Sequence, residues 1–230
     1  MIRTPKSKVR SPLVLIGDAS WIPNCKFEGV EAIPILSRQS RDLNKFVRLA
    51  PFEKRDREQP SEGTVIHFFV ADEKFRPLAF NPAPYIHRLS RFGAVATPDF
   101  SMYRDMPRHR RIASVWANRA VGSYFQSRGL EVIPTVRWSM ESDYDFCFAG
   151  IPKGETVIVS NHGCWKSLDD KHHFIHGFEQ MLSVLRPRRV ILHGSQLSGS
   201  INRLRPACPI QFFEPEIRMA KQGKVRNGGR

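Results

Sequence analysis

The segment 97–107, Thr-Pro-Asp-Phe-Ser-Met-Tyr-Arg-Asp-Met-Pro, carries a chemically capable side chain at every second position, namely Asp99, Ser101, Tyr103 and Asp105. In an extended loop, alternate residues share one side of the backbone, so two carboxylates, a hydroxyl and a phenol would converge. Such a group is suited to acid–base chemistry, and alternating acids can bind a divalent metal. The glycine and distal glutamate of a calcium loop are missing, so the identity of any metal stays open.

A repeated order of strands and helices is predicted to position these residues. Apolar runs typical of strands occur at 32–36, 64–71, 94–98, 131–136, 156–160, 190–193 and 209–213, with a further run at 13–17. Helical spacing with caps or stop signals follows Asn81–Pro82 and covers 111–128 and 169–185. We predict an α/β single domain of strand–helix units, as either a small (βα) barrel or an open, mostly parallel sheet.

The charge divides the chain into four predicted regions. The whole chain has a net charge of +14, of which residues 1–10 hold +4 and residues 218–230 hold +5. Both ends lack an apolar pattern, and we interpret them as disordered basic tails. Between them we expect an N-terminal extension at 11–63, with one or two strands and with a short helix and loop at 38–63, and an α/β core at 64–217.

The carboxyl ends of the predicted strands are the expected place for a site. Ligands gather at that edge in parallel α/β sheets and in barrels, so the prediction holds for both architectures. The candidate catalytic residues that follow or end these strands are Asp72, Asp99, Ser101, Tyr103, Arg137 and His193. Together they could bind a phosphate or a divalent metal, or perform acid–base catalysis.

A basic chain also favours a polyanionic partner, because Lys and Arg that neutralise phosphates release counterions. The candidate nucleic-acid-binding residues are Arg3, Lys6, Lys8, Arg10, Arg108, Arg110, Arg111, Arg218, Lys221, Lys224 and Arg226. Trp138 and Trp165, in loops at the expected site, are candidates to stack on a base. The alternative interpretation of the arginine cluster at 104–111 is solvated surface charge.

Several function classes are disfavoured. The chain has no GxGxxG, Walker, Gly-x-Ser-x-Gly or HExxH motif, so the common cofactor-binding enzymes are not indicated. Its four cysteines are widely spaced and are expected to be reduced thiols. No apolar run is long enough for a membrane span or a signal peptide, so no membrane partner is expected and the expected location is the cytoplasm.

Five stretches together resemble one family. They are His67–Phe75, Pro98–Pro107, Gly122–Gly129, Val132–Trp138 and Phe146–Gly154. Over about residues 64–194 the chain resembles domain-of-unknown-function family 4417, whose members occur in phages, plasmids and integrative elements. The resemblance implies a mobile-element origin and a bacterial cytoplasmic setting. It does not indicate which activity the protein has.

Three functions follow as expectations. The leading one is a phage or mobile-element accessory protein that binds nucleic acid through the basic tails and the arginine cluster. The first alternative is a metal-assisted phosphoesterase or nucleotide-processing enzyme, a hydrolase with its site at the strand ends. The second is a protein that binds and modulates a host or phage protein.

Overall fold

The computed structural model of the protein describes residues 22, 24–41, 48–194, 201–204 and 206–215. The two predicted basic tails and the predicted strand at 13–17 lie outside the described residues. The other predicted strands and helices fall mostly or entirely within them.

Nine strands are formed in the described part of the chain. They are β1 (Phe27–Glu28), β2 (Ile33–Pro34), β3 (Arg48–Pro51), β4 (Ser61–His67), β5 (Phe92–Ala96), β6 (Val132–Ile133), β7 (Thr156–Ser160), β8 (Arg189–His193) and β9 (Ile210–Phe213). Strands β3-β4-β5-β6 make one parallel sheet and β7-β8-β9 make another. Strands β1 and β2 form a separate antiparallel pair. The predicted parallel α/β fold is therefore confirmed.

The three described α-helices are α1 (Ile86–Leu89), α2 (Arg108–Ser127) and α3 (Leu168–Leu185). Helix α3 is capped at its N-terminus by Ser167, whose side chain accepts a hydrogen bond from the Asp170 amide at 3.0 Å. It buries Phe174, Phe178 and Met181, which recur at helical spacing. Along the chain, the 3-10 turns Arg76–Ala79 and Ala83–Tyr85 come between β4 and α1. The long helices match the predicted segments within three residues at each end.

Among the described residues, one isolated β-bridge, Thr135 to Ile158, connects the two parallel sheets. Around it, the Val136 amide donates to Ile158 O and the Ile158 amide donates to Pro134 O, both at 2.9 Å. We call this junction the seam. Within the described strands, β3 and β9 stand at the outer edges and do not pair with each other, so the described sheets stay open rather than closing into a barrel.

Strand β3 corrects one local expectation. Residues 38–63 were expected to form a short helix and a loop, but Arg48–Pro51 is a strand that pairs in parallel with β4. The parallel sheet therefore begins before residue 64, in the segment that we expected to be an N-terminal extension. Residues 42–47, where the expected helix falls, lie outside the described part.

One arginine is built into the core beneath the seam. Arg119, on α2, is 1% exposed. Its guanidinium donates to Thr135 O at 3.1 Å, Cys147 O at 2.9 Å and Ala149 O at 3.0 Å, and also to Asn118 Oδ1. Burial lowers the pKa of Arg119 to about 10, which leaves it charged at neutral pH. It ties the helix to the segments that follow β6.

Candidate active site at the sheet seam

A cavity of about 470 Å³ opens at the carboxyl ends of β5, β6 and β7, across the seam. Asp99, Tyr103, Arg137 and Trp138, all predicted site residues, line one part of it. Residues after β7 line the other part, among them His162. The predicted edge of the sheet is thus the edge that bears this cavity.

Asp99 and Arg137 form an ion pair in the wall of the cavity. Arg137 Nη1 lies 2.6 Å from Asp99 Oδ2, and the Asp99 residue is 8% exposed. Burial raises the pKa of the Asp99 carboxyl, and the neighbouring Arg137 only partly offsets this by favouring the charged form. Asp72 adds to the upward shift through like-charge repulsion. The pKa of the Asp99 carboxyl therefore lies above that of an ordinary aspartate.

Asp72 is connected to the same loop through Ser101. Its two carboxylate oxygens accept from the Ser101 amide at 3.1 Å and from the Ser101 hydroxyl at 2.9 Å. The Tyr103 hydroxyl donates to Ser101 Oγ at 3.2 Å. The alternate residues Ser101 and Tyr103 thus do share one side of the loop, and their partner is Asp72, in the 3-10 turn Asp72–Lys74 that follows β4, rather than Asp99.

The backbone beneath this pair is held by buried polar contacts. The Thr135 amide donates to Thr97 Oγ1 at 2.8 Å, and the Thr135 hydroxyl donates to Thr97 O at 2.6 Å. Asn118 Nδ2 donates to Pro98 O at 2.7 Å. These bonds fix the ends of β5 and β6, from which Asp99 and Arg137 project, so the geometry of the ion pair is set by the fold.

His193 lies beside the cavity rather than in its wall. It is the last residue of β8, is 6% exposed, and has its Nδ1 3.3 Å from the hydroxyl oxygen of Ser160, which does line the cavity. Its ring centroid is 4.8 Å from that of His67 and 4.9 Å from that of Phe69. Burial, with a contribution from His162, lowers the pKa of His193 to about 4, so the imidazole is neutral at neutral pH.

The predicted arginine cluster consists largely of internal ion pairs. Arg104 pairs with Asp169 and Asp170 at the start of α3. Arg108 Nη2 lies 2.6 Å from Asp145 Oδ2. Each of these contacts reduces the positive charge that the cluster offers to a polyanion.

The remaining two arginines of the cluster differ. Arg111 Nε lies 2.9 Å from Asp143 Oδ1, and both side chains are buried. Arg110 is exposed, and within the described residues its side chain forms no ion pair. The structure therefore leaves Arg110 as the member of the set Arg108, Arg110 and Arg111 that is available to an external phosphate.

The two candidate stacking residues have different surroundings. Trp138 packs against Gly177 of α3, where a Cβ atom would lie 2.1 Å from the indole Nε1, and this nitrogen donates to His173 O at 3.1 Å. Trp138 is thus a fixed, half-buried part of the cavity wall. Trp165 is half-buried with its ring centroid 5.7 Å from that of Phe174, and Lys171 Nζ lies 5.8 Å from the Trp165 ring.

Ser160, Cys164 and Lys166 are among the lining residues that were not predicted as site residues. Ser160 was not predicted because it ends a strand, whereas most candidates were chosen from the residues after strands. Burial raises the pKa of the Cys164 thiol to about 11, which keeps it protonated. Lys166 is exposed and, among the described residues, makes no ion pair, so its ammonium is available to an anion.

The described residues contain no group of three or more His, Cys, Asp or Glu side chains arranged to hold a metal ion. Asp72 and Asp99, the predicted acids, are each engaged by other partners, Ser101 and Arg137 respectively.

No helix of the described part is long and apolar enough to cross a membrane.

The chain belongs to the family described as Domain of unknown function (DUF4417), which matches residues 26–207. The match confirms the predicted resemblance and extends it on both sides of residues 64–194. It includes β1–β3 as well as the cavity.

Two phage proteins are similar to this chain. The Gene 1 protein of Mycobacterium phage D29 is 39% identical over 132 residues, which cover 57% of this chain and 49% of the relative. The Gene 1 protein of Mycobacterium phage L5 is 36% identical over 132 residues, which cover 57% of this chain and 58% of the relative. The chain thus spans about half the length of the curated relatives it matches. No solved structure matches it.

Proposed function

We propose that the protein is a phage accessory protein that engages nucleic acid or nucleotides and places a phosphate-bearing group in the cavity at the seam. The observation that carries this proposal is the presence of Arg137 and Lys166 in the wall of one cavity, beside the acids Asp99, Asp105 and Asp170. Arg104 lines the cavity too, but it is paired with Asp169 and Asp170. A volume of about 470 Å³ lies in the usual range for small-molecule sites. The phage relatives support the accessory role.

Arg137 is the strongest candidate for the phosphate contact. One terminal nitrogen bonds Asp99, but a guanidinium carries five N–H donors, and the Arg137 side chain is 31% exposed. Because Nε is buried, the other terminal nitrogen is the one that can donate to phosphate oxygens while the bond to Asp99 holds the side chain in place. Lys166 adds a second positive charge on the opposite side of the seam.

The cavity contact is tested by Arg137→Gln, with Arg91→Gln as the matched control. Arg91 is exposed and immediately precedes β5, at the opposite edge of the sheet from the cavity. Fluorescence anisotropy with a labelled oligonucleotide and with a mononucleotide measures affinity. We expect Arg137→Gln to weaken binding at least about tenfold, as for the loss of a charged hydrogen bond, and Arg91→Gln to have little effect. Equal losses in both variants would show that only overall charge matters.

The basic tails are proposed to supply the affinity for the phosphate backbone that does not depend on sequence. Removing residues 1–10 and 218–230 takes away nine positive charges. We expect the truncated protein to lose most oligonucleotide binding and to show a smaller salt dependence, while mononucleotide binding in the cavity stays. Unchanged oligonucleotide binding after truncation, or no binding by the full chain at low salt, would contradict this role.

A second candidate is phosphoester cleavage, favoured by the buried carboxyl of Asp99 beside a guanidinium. A carboxyl group whose pKa is raised can serve as a general acid or base close to neutral pH. Hydrolysis of nucleotides and oligonucleotides by wild type and by Asp99→Asn, with and without Mg²⁺ or Mn²⁺, tests this role. Equal rates would remove Asp99 from the chemistry.

A stoichiometric protein partner that co-purifies without nucleic acid would instead favour the alternative that the protein binds and modulates a host or phage protein.

A further inference from the structure

Ser160 and His193 stand opposite each other at the ends of neighbouring strands. They are paired residues in the parallel register of β7 and β8, and each is the last residue of its strand. The Ser160 hydroxyl oxygen lies 3.3 Å from His193 Nδ1. Because the strand register sets both backbone positions, the contact follows from the sheet itself rather than from a flexible loop.

A second hydrogen bond orients the serine hydroxyl. The His162 amide donates to Ser160 Oγ at 3.2 Å. This bond uses one lone pair of the oxygen, and the hydroxyl hydrogen is then directed toward His193 Nδ1 when that nitrogen is the unprotonated one. The Ser160 residue is partly exposed and lines the cavity, so its oxygen is accessible to a ligand.

The imidazole is held rigidly in the orientation that this contact needs. The ring of Phe69 stacks on it at 4.9 Å and 19°, and the ring of His67 lies 4.8 Å away. Gly194, which follows His193, has a φ of +142°. A Cβ there would lie 1.7 Å from Asn161 Oδ1, so only glycine allows this approach of the two strand ends.

We propose that Ser160 is a nucleophile and His193 its general base, acting on a phosphoester bound in the cavity. This inference deepens the proposed function and rests on the phosphate site described above. A hydroxyl within reach of a neutral imidazole in a ligand-accessible cavity is the arrangement that activates serine for attack. Arg137 and Lys166, in the same cavity, would stabilise the charge that builds up on the phosphoryl oxygens.

The reaction balances in two steps without a redox change. First, Ser160 Oγ bonds to phosphorus and its proton moves to His193 Nδ1, while the ester bond breaks on the opposite side of phosphorus and the leaving oxygen takes a proton from solvent water. Then water attacks the phosphoserine and releases a proton to the solvent, the bond from phosphorus to Oγ breaks, and Oγ recovers its proton from His193 Nδ1. The products are the free alcohol and the phosphate.

A fluorophosphonate probe tests the nucleophile directly. Ser160 Oγ would displace fluoride from phosphorus and form a stable adduct, which intact-mass spectrometry counts and peptide mapping locates. We expect one adduct per chain, on Ser160, and none on folded Ser160→Ala. Ser139 is an internal control, because it lines the same cavity with its hydroxyl on Asp143 at 2.6 Å instead of on an imidazole.

The base is tested by His193→Gln, which we expect to slow labelling at least about a hundredfold while circular dichroism stays that of wild type. A rate equal to wild type in the folded variant, or no adduct on Ser160 in wild type, would overturn the inference. Mononucleotide binding by the same samples separates the two proposals. Binding without labelling would support the phosphate site and refute the nucleophile. Labelling without binding would support the nucleophile and refute the phosphate site.

Discussion

Because His193 is buried, we expect the free energy of unfolding to fall by a calculable amount at acidic pH. The folded protein lowers the pKa of this imidazole from 6.5 to about 4, mainly by burial. The unfolded chain therefore takes up a proton below pH 6.5 that the folded chain excludes until about pH 4. The stability that the neutral His193 contributes is therefore fully present above pH 6.5, and it is lost as the pH falls toward 4.

The magnitude follows from the size of the shift. At 1.36 kcal/mol per pKa unit, the linkage relation gives a loss of about 2 kcal/mol in the free energy of unfolding between pH 7 and pH 5. His67, also buried, acts in the same direction, because burial and the nearby His193 both lower its pKa. Removal of His193 relieves part of that effect as well.

Urea denaturation of wild type and His193→Gln from pH 7 to pH 5 measures this loss. We expect the variant to lose about 2 kcal/mol less than wild type over that interval, whatever its stability at pH 7. His109→Gln is the matched control, because this histidine is exposed on α2 and its loss should leave the pH dependence close to that of wild type. Parallel curves for wild type and His193→Gln would refute the argument that a buried neutral imidazole sits beside the cavity.

Three further substitutions test the supports of the site by urea denaturation. Arg119→Met leaves buried carbonyl groups without their donor and is expected to cost about 3 to 5 kcal/mol, with a loss below 1 kcal/mol contradicting its role. Asp143→Asn breaks the buried pair with Arg111 and should cost a similar amount, about 3 to 5 kcal/mol. Gly177→Ala forces a methyl group into Trp138, with an expected loss of about 1 to 3 kcal/mol and a change in tryptophan fluorescence, and an unchanged spectrum would argue against this contact.

Local sequence patterns predicted the elements that are buried on both sides. Strands β7 and β8 and helices α2 and α3 lie close to their predicted positions, because unbroken apolar runs and helical stripes directly reflect burial. Strand β3 was missed because it is four residues long and its stability comes from pairing with β4. Only Ala50 and Pro51 of its four residues are buried, so the strand leaves no apolar run in the sequence.

The candidate site was predicted in position but not in its connections. The rule for parallel sheets placed Asp99, Arg137 and Tyr103 at one edge, and all three line the cavity. The partners were not predictable, because Arg104 and Asp169 are 65 residues apart and their pairing depends on how the loops meet in space. For the same reason, a cluster of basic residues in the sequence became a set of mostly neutralised charges in the structure.

The seam has a mechanical consequence for the cavity. Asp99 and Arg137 follow strands of one sheet, whereas Ser160 and His193 end strands of the other. The bridge between Thr135 and Ile158 connects the two sheets, and Gln39 Nε2 adds bonds to Val132 O at 3.3 Å and to Thr156 O at 2.7 Å. A small rotation about that bridge would widen or narrow the cavity without breaking any ladder within either sheet. The amide protons of Val136 and Ile158, which bond across the junction, would then exchange with solvent sooner than those that bond between β7 and β8. The contacts across the seam therefore set the distance between the Arg137 guanidinium and the Ser160 hydroxyl.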